Sequence, residues 1–155
     1  MSISHELISV KAATGIEGLD DILDGGLSRG HVFLLEGEPG TGKTTVALHF
    51  LLAGAQAGER SLYITLSETE RELRQGARSH GWELGENVHI FELTPPESLL
   101  NAQHQQSLLY SSDLELGEAT KQIFEVVERF KPTRVVLDSL SEIRLLAQSS
   151  LRYRR

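Results

Sequence analysis

Short apolar runs punctuate the chain at intervals that suit buried strands. Each run holds four to six residues, and helical patterns separate most of them; the runs cover residues 32–35, 62–66, 88–93 and 134–138. Strands of a parallel sheet are continuously hydrophobic because helices cover both faces of the sheet. The pattern therefore predicts an α/β fold built on a parallel sheet.

Helical periodicity appears first after the run at 32–35. Residues 43–57 carry small and apolar residues at helical spacing, and Gly58 follows as a stop signal. The periodic positions are Val46, Ala47, Phe50, Leu51 and Gly54. A second helix is predicted to begin at Thr69, because Thr69 and Glu72 have the spacing of a capping box, and to end near Gly81.

A third helix is predicted before the last apolar run. Its apolar face consists of Ile123, Val126, Val127 and Phe130, and Lys131-Pro132 closes it. Residues 94–111 contain two adjacent prolines and a stretch rich in glutamine and serine. We expect this stretch to be an irregular surface segment.

The most informative motif lies between the first apolar run and the first helix. Its residues fit the phosphate-binding pattern G-x-x-x-x-G-K-[ST]: Gly37, Glu38, Pro39, Gly40, Thr41, Gly42, Lys43, Thr44 and Thr45. The motif requires a strand before it and a helix after it, and both are predicted here. A glycine-rich turn that only caps a helix is the alternative.

The residue types of this loop match the chemistry of a polyphosphate. Gly37, Gly40 and Gly42 allow backbone conformations in which successive N–H groups point at phosphate oxygens. The start of the helix adds partial positive charge. Lys43 is predicted to reach the β- and γ-phosphates as a catalytic cation, and the Thr44 hydroxyl to ligate Mg²⁺. A polyphosphate and Mg²⁺ are thus the expected ligands, while Thr45 is expected to pack or bond locally.

Two carboxylates are candidates for the remaining chemistry. Asp138 ends an apolar strand, as expected of a Walker B aspartate that holds Mg²⁺ through its water shell; the alternative is a turn or helix cap. Glu68 follows the run at 62–66, at the sheet edge where the phosphate loop also lies. It is the favoured residue to orient the attacking water. Glu70 and Glu72 compete with it, although both also suit the first turn of a helix.

Composition limits the other possibilities. The chain has 155 residues, 39% of them hydrophobic, enough for one domain with a core. We divide it into a lead-in over 1–30 and a phosphate-loop core over 31–155. The net charge of −7 argues against a general nucleic-acid surface. The absence of cysteine and of any long apolar run suggests a cytoplasmic protein without membrane association.

Two groups of polar residues are given structural interpretations. The six histidines show no i, i+4 pair, so packed or solvated histidines are expected rather than a metal cluster. Arg152, Arg154 and Arg155 could contact phosphate or nucleic acid. The favoured interpretation is a solvated helix start.

Taken together, these motifs resemble the KaiC-like branch of the RecA superfamily. The resemblance lies in the stretches 14–20, 25–30, 37–45, 63–68, 77–82 and 135–140, and thus covers nearly the whole chain. It implies a RecA-like ATPase domain that works in a homo-oligomeric ring, with nucleotide at subunit interfaces. Self-association is therefore expected, other protein partners are possible, and a role in signalling or timing is implied.

The chain departs from the family pattern at two points. Relatives often carry paired glutamates after the second strand, whereas here Ser67 precedes Glu68. In related domains a later strand also lies between the phosphate-loop strand and the Walker B strand, so we expect a domain truncated at its C-terminus. The sheet would then show either a gap or a closed sheet with shifted pairing.

Three functional classes remain open. The first is an ATP hydrolase or ATP-dependent kinase, and the second is a nucleotide-sensing module without useful hydrolysis, which Ser67 favours. The third is a RadA-like DNA repair ATPase. The third class usually begins with a cysteine zinc module, which a chain without cysteine lacks.

Overall fold

A parallel sheet flanked by helices forms the centre of the structure. In a computed structural model, residues 10–93 and 108–146 are described, without the side chains of 108–115 and 144–146. Strands β3 (Ser61–Thr65), β4 (Val88–Glu92) and β5 (Arg134–Asp138) lie in the order β4-β3-β5, and both neighbours run parallel to β3. The α/β class and these three predicted strands are confirmed.

Helices cover both faces of the sheet. The described helices are α1 (Glu17–Ile22), α2 (Lys43–Gln56), α3 (Glu70–Ser79), α4 (Leu108–Phe130) and α5 (Leu140–Leu146). Tyr63 of β3 packs in a core with α2 and α3, whereas Leu62 and Ile64 pack in a second core with α4. Alternate side chains of a strand point to opposite faces, so β3 supplies both cores. This accounts for the complete burial of its five residues.

Local sequence signals located α2 and α3 well. Helix α2 begins at Lys43, as predicted, and ends at Gln56, one residue early. At the start of α3, the Thr69 hydroxyl accepts from the Glu72 N–H, and the Glu72 carboxylate accepts from the Thr69 N–H, so the predicted capping box is confirmed. The helix ends at Ser79, two residues before the predicted Gly81.

The prediction of an irregular segment over 94–111 is wrong at its end. Helix α4 begins at Leu108, so residues 108–111 are helical; residues 94–107 lie outside the described part of the chain. Ala119 and Val126 are buried on the apolar face of α4, so packing stabilises this helix. The leucine-rich residues upstream have high helix propensity and extend it. Serine and glutamine content misled the prediction here.

The predicted strand at 32–35 is also wrong in the described structure. No described strand pairs with this segment, and Val32 is fully exposed while Leu34 is 71% exposed. A strand requires hydrogen bonds from a neighbour, and among the described residues β5 has only β3 beside it. Both expected arrangements of the sheet include a strand at 32–35, so the described structure tests neither the gap nor the shifted pairing.

The lead-in carries small elements that its sequence did not reveal. Strands β1 (Lys11–Ala12) and β2 (Leu27–Ser28) pair antiparallel on either side of α1. Asp20 accepts hydrogen bonds from the Thr14 N–H and hydroxyl and from the Gly15 N–H. Burial raises the pKa of Asp20, but these bonds outweigh it, so the net shift is downward. Two-residue strands have no detectable periodicity, which explains why they were missed.

A buried ion-pair network ties the lead-in to the sheet. Arg134, at the start of β5, donates to the Ala13 and Phe50 carbonyls and to the Glu59 carboxylate. Arg29 forms a two-pronged pair with the same carboxylate, at 2.8 and 2.9 Å. These bonds lie at the opposite end of β5 from Asp138. The network therefore stabilises the end of the sheet where β5 begins, and the candidate site lies at the opposite end, where β5 ends.

Candidate functional site

The phosphate loop leads directly into α2. Gly42 is the residue before the helix, and both it (φ +92°) and Gly40 (φ +81°) adopt left-handed backbone conformations that favour glycine. The first N–H groups of a helix have no partner within the helix. The loop thus delivers the donor end of α2 to a surface where an anion can approach.

Lys43 folds back over this loop. Its ammonium donates to the Gly37 carbonyl at 2.7 Å and to the Glu38 carbonyl at 2.9 Å. The Thr41 hydroxyl donates to the same Glu38 carbonyl at 2.8 Å. The cation of the motif is therefore held against the loop backbone, beside the glycines that would surround a phosphate.

Thr44 and Asp138 meet across the carboxyl edge of the sheet. The Thr44 hydroxyl lies 3.5 Å from Oδ2 of Asp138, at the outer limit of a hydrogen bond. Oxygen donors of this kind suit Mg²⁺, which takes one or two protein ligands together with phosphates and water. Within 10–93 and 108–146 no group of three or more His, Cys, Asp or Glu could hold a metal. The Thr44–Asp138 pair nevertheless fits a nucleotide-bound Mg²⁺.

Tyr63 completes this polar cluster and was missed from the sequence. Its hydroxyl donates to Oδ2 of Asp138 at 2.5 Å, and the whole residue is buried. Burial raises the pKa of Tyr63, and the hydrogen bond to Asp138 and the charge of that carboxylate raise it further. Tyr63 pairs in register with Val136, two positions before Asp138, and the length of the phenol side chain lets its hydroxyl reach the carboxylate.

Glu68 lies just beyond the end of β3, where Thr65 holds its backbone. The Thr65 hydroxyl donates to the Glu68 carbonyl at 2.8 Å and accepts from the Glu68 N–H at 3.0 Å. Burial raises the pKa of the Glu68 carboxyl, and the charges of Asp138 and Glu72 add to the rise. The structure thus brings Glu68 into the electrostatic field of Asp138, since Thr65 and Asp138 are opposite each other in register.

The two competing acids have structural partners in α3. Glu70 pairs with Arg74 at 2.7 Å, and Glu72 belongs to the capping box. The hydrogen bond from the Thr69 N–H lowers the pKa of Glu72. Both acids therefore have the helix-start roles that their positions suggested. Arg152, Arg154 and Arg155 lie outside the described residues.

No helix in the described part of the chain has both the length and the apolar character needed to cross a membrane. Fold and site together define a RecA-like P-loop α/β domain. A family model described as "ATPase: KaiC" matches residues 12–154. The chain belongs to this KaiC ATPase family.

Similar proteins come from bacteria and archaea. The circadian clock protein KaiC3 of Synechocystis sp. is 34% identical over 137 residues, covering 86% of this chain and 26% of that protein. The circadian clock oscillator protein KaiC of Prochlorococcus marinus is 33% identical over 134 residues, with the same coverage. A UPF0273 protein of Methanopyrus kandleri is 28% identical over 137 residues, covering 86% of this chain and 54% of that protein. The chain thus spans about a quarter of the KaiC relatives' length.

Proposed function

We propose that this chain is an ATP-binding, Mg²⁺-dependent ATPase domain. The observation that carries the proposal is the phosphate loop at the start of α2 together with Asp138, whose Oδ2 lies 3.5 Å from the Thr44 hydroxyl. Separately, a glycine turn or a strand ending in aspartate is common. A chain that brings both to one sheet edge has the parts that bind a nucleotide and its metal.

Lys43 and the loop amides bind the triphosphate in this proposal. The ammonium exchanges the Gly37 and Glu38 carbonyls for phosphate oxygens, and the N–H groups at the start of α2 donate to the same anion. Thr44 and Asp138 would hold Mg²⁺. When bound, Mg²⁺ neutralises charge on the β- and γ-phosphates.

Glu68 orients the attacking water and accepts its proton in this proposal. A raised pKa suits a general base, because a carboxylate with weak basicity gains proton affinity when it is partly buried. The two hydrogen bonds between Thr65 and the Glu68 backbone fix where the side chain begins. Lys43 and Glu68 are therefore the proposed catalytic residues. The acceptor is water in a hydrolase and a hydroxyl group in a kinase.

We also propose assembly and context from the family. Two of the three relatives named above are circadian clock proteins, so a role in timing or signalling is the corresponding proposal. From the family resemblance we further propose a homo-oligomeric ring in the cytoplasm. We assign residues 1–30 to a lead-in and 31–155 to the phosphate-loop core of one domain. The exposed segment 32–35 supports association with another polypeptide, because contiguous exposed apolar residues favour burial in an interface.

A nucleotide-sensing module without useful turnover is the second candidate. Ser67 favours it, because the position before Glu68 carries a hydroxyl where the family often has a second carboxylate. Turnover under saturating ATP and Mg²⁺ in the full-length protein separates the two candidates. Phosphate release that Glu68→Gln abolishes supports the ATPase, whereas tight nucleotide binding with no release or transfer supports the sensor.

A further inference from the structure

Tyr63 is a buried side chain with a polar hydroxyl to which the proposed mechanism gives no role. It lies in the middle of β3, the central strand, with none of its surface exposed. A buried phenol supplies hydrophobic area, and its hydroxyl is costly to bury without a hydrogen-bond partner. Here the hydroxyl is not directed at a backbone carbonyl of the core. It donates to Oδ2 of Asp138 at 2.5 Å.

The Tyr63 hydroxyl contacts the same Asp138 oxygen that faces the Thr44 hydroxyl. Oδ2 of Asp138 lies 2.5 Å from the Tyr63 hydroxyl and 3.5 Å from the Thr44 hydroxyl. A hydrogen bond to a charged acceptor restricts the carboxylate to the rotamer in which that bond is made. The phenol itself is fixed by burial in the core with α2 and α3. A rigid donor therefore fixes the direction of a carboxylate at the end of β5.

We propose that Tyr63 is a positioning residue that orients the Asp138 carboxylate for Mg²⁺. This inference rests on the proposed ATP·Mg²⁺ site and names a residue that acts through Asp138 without touching nucleotide. Hydrogen-bond partners of metal-ligating groups typically change metal affinity by about 10- to 100-fold when they are removed. Tyr63→Phe keeps the ring in the core and removes only the donor.

The experiment measures the affinity of the ADP-saturated full-length protein for Mn²⁺, a spectroscopic substitute for Mg²⁺. Free Mn²⁺ is followed by electron paramagnetic resonance, and ADP affinity in EDTA is measured separately. Tyr63→Phe should weaken Mn²⁺ binding about tenfold or more. Its ADP affinity in EDTA should stay within about twofold, because Tyr63 contacts the proposed metal ligands and not the nucleotide.

Ser61→Ala is the matched control. Ser61 lies on the same strand, is equally buried, and donates its hydroxyl to the Leu51 carbonyl at 2.9 Å, at the end of β3 away from Asp138. It loses a buried hydrogen bond without touching the site, so its Mn²⁺ affinity should match that of the wild type. A loss equal to that of Tyr63→Phe would show a general packing effect and overturn the inference.

A double-mutant cycle with Asp138→Asn tests whether Tyr63 acts through Asp138. The Tyr63→Phe effect should shrink to less than about twofold in the Asp138→Asn background, because coupled residues are not additive. Equal effects in both backgrounds, or wild-type Mn²⁺ affinity in Tyr63→Phe, would overturn the inference alone. A wild-type protein that binds no ADP would overturn the proposed function, and this inference with it.

Discussion

The Thr44 hydroxyl lies 3.5 Å from Oδ2 of Asp138, although 94 positions separate the two residues in the chain. Thr44 belongs to the first turn of α2, and Asp138 is the last residue of β5. The parallel pairing of β5 with β3 places Asp138 opposite Thr65, at the sheet edge that the phosphate loop also reaches. Two motifs that look independent in the sequence therefore share one site.

The first prediction separates the two adjacent threonines of the loop. Thr44→Ala should weaken ATP binding in the presence of Mg²⁺ by about tenfold or more, since one metal ligand is lost. Affinity in EDTA should not change. Thr45→Ala is the matched control and should stay within about twofold in both conditions. Calorimetry with and without Mg²⁺ makes the measurement, and equal effects of the two variants would contradict the assignment of Thr44.

Glu68→Gln tests the proposed base. The amide keeps shape and hydrogen bonding but removes the basic carboxylate, so kcat should fall by about 100-fold or more while ATP affinity persists. Steady-state phosphate release in the full-length protein gives kcat. Glu70→Gln, which alters the pair with Arg74, is the control and should retain turnover. Undiminished turnover in Glu68→Gln would contradict the assignment of Glu68 as the base.

What the sequence revealed depended on whether the signal was local. The capping box of Thr69 and Glu72 lies within four residues, and it identified Thr69, the N-cap of a helix that begins one residue later at Glu70. The apolar run ending in Asp138 gave both bounds of β5. The run at 32–35 has the same character, yet its pairing depends on a neighbouring strand that no local pattern encodes. Whether an apolar run forms a strand therefore depends on its neighbours in space as well as on its own sequence.

Tyr63 illustrates the same limit at the site. In the sequence it is one apolar-looking residue within the run at 62–66, with nothing to distinguish it from a core side chain. Its role depends on register with β5, because the hydroxyl reaches Asp138 from two positions back. If β3 and β5 are assumed to pair in parallel, the two-residue spacing of Tyr63 and Thr65 predicts that both side chains lie on the same face of the sheet. The register between β3 and β5, which the sequence does not show, reveals that Tyr63 reaches Asp138.

A pH-dependent stability is expected from Glu59. The hydrogen bonds from Arg29 hold the pKa of Glu59 well below its ordinary value of 4.5, and those from Arg134 and Thr133 add to this effect. Because the folded pKa is depressed, the stabilisation is complete above about pH 4.5 and is lost as pH falls toward the folded pKa. Denaturant unfolding between pH 7 and pH 2 should show this loss.

Glu59→Gln removes that dependence and leaves the Arg134 guanidinium buried without its counter-charge. The free energy of unfolding at pH 7 should fall by about 3 kcal/mol. Its change between pH 4.5 and pH 2 should be smaller than in the wild type. Lys121 and Glu125 form an exposed pair on α4, so Glu125→Gln is the control and should change stability by less than about 1 kcal/mol. Parallel pH profiles for wild type and Glu59→Gln would contradict the account.

The exposed segment 32–35 predicts association of the isolated chain 1–155. Four apolar residues, Val32, Phe33, Leu34 and Leu35, are at least half exposed, and in the described structure β5 has an open edge. Such surfaces pair with other chains. Light scattering should find oligomers of residues 1–155 that Leu34→Lys reduces. A monomer with a cooperative melting transition and tight ATP binding would contradict this.

The central claim is that Lys43 and its loop bind the phosphates of ATP. Calorimetry of Mg²⁺·ATP binding to the full-length protein, comparing the wild type with Lys43→Ala, tests it most directly. Lys121→Ala, a loss of the same charge on α4, is the control and should bind as the wild type does. Removing a hydrogen-bonding charge should weaken affinity about 10- to 100-fold. Equal affinity in Lys43→Ala and the wild type would contradict the phosphate-loop assignment.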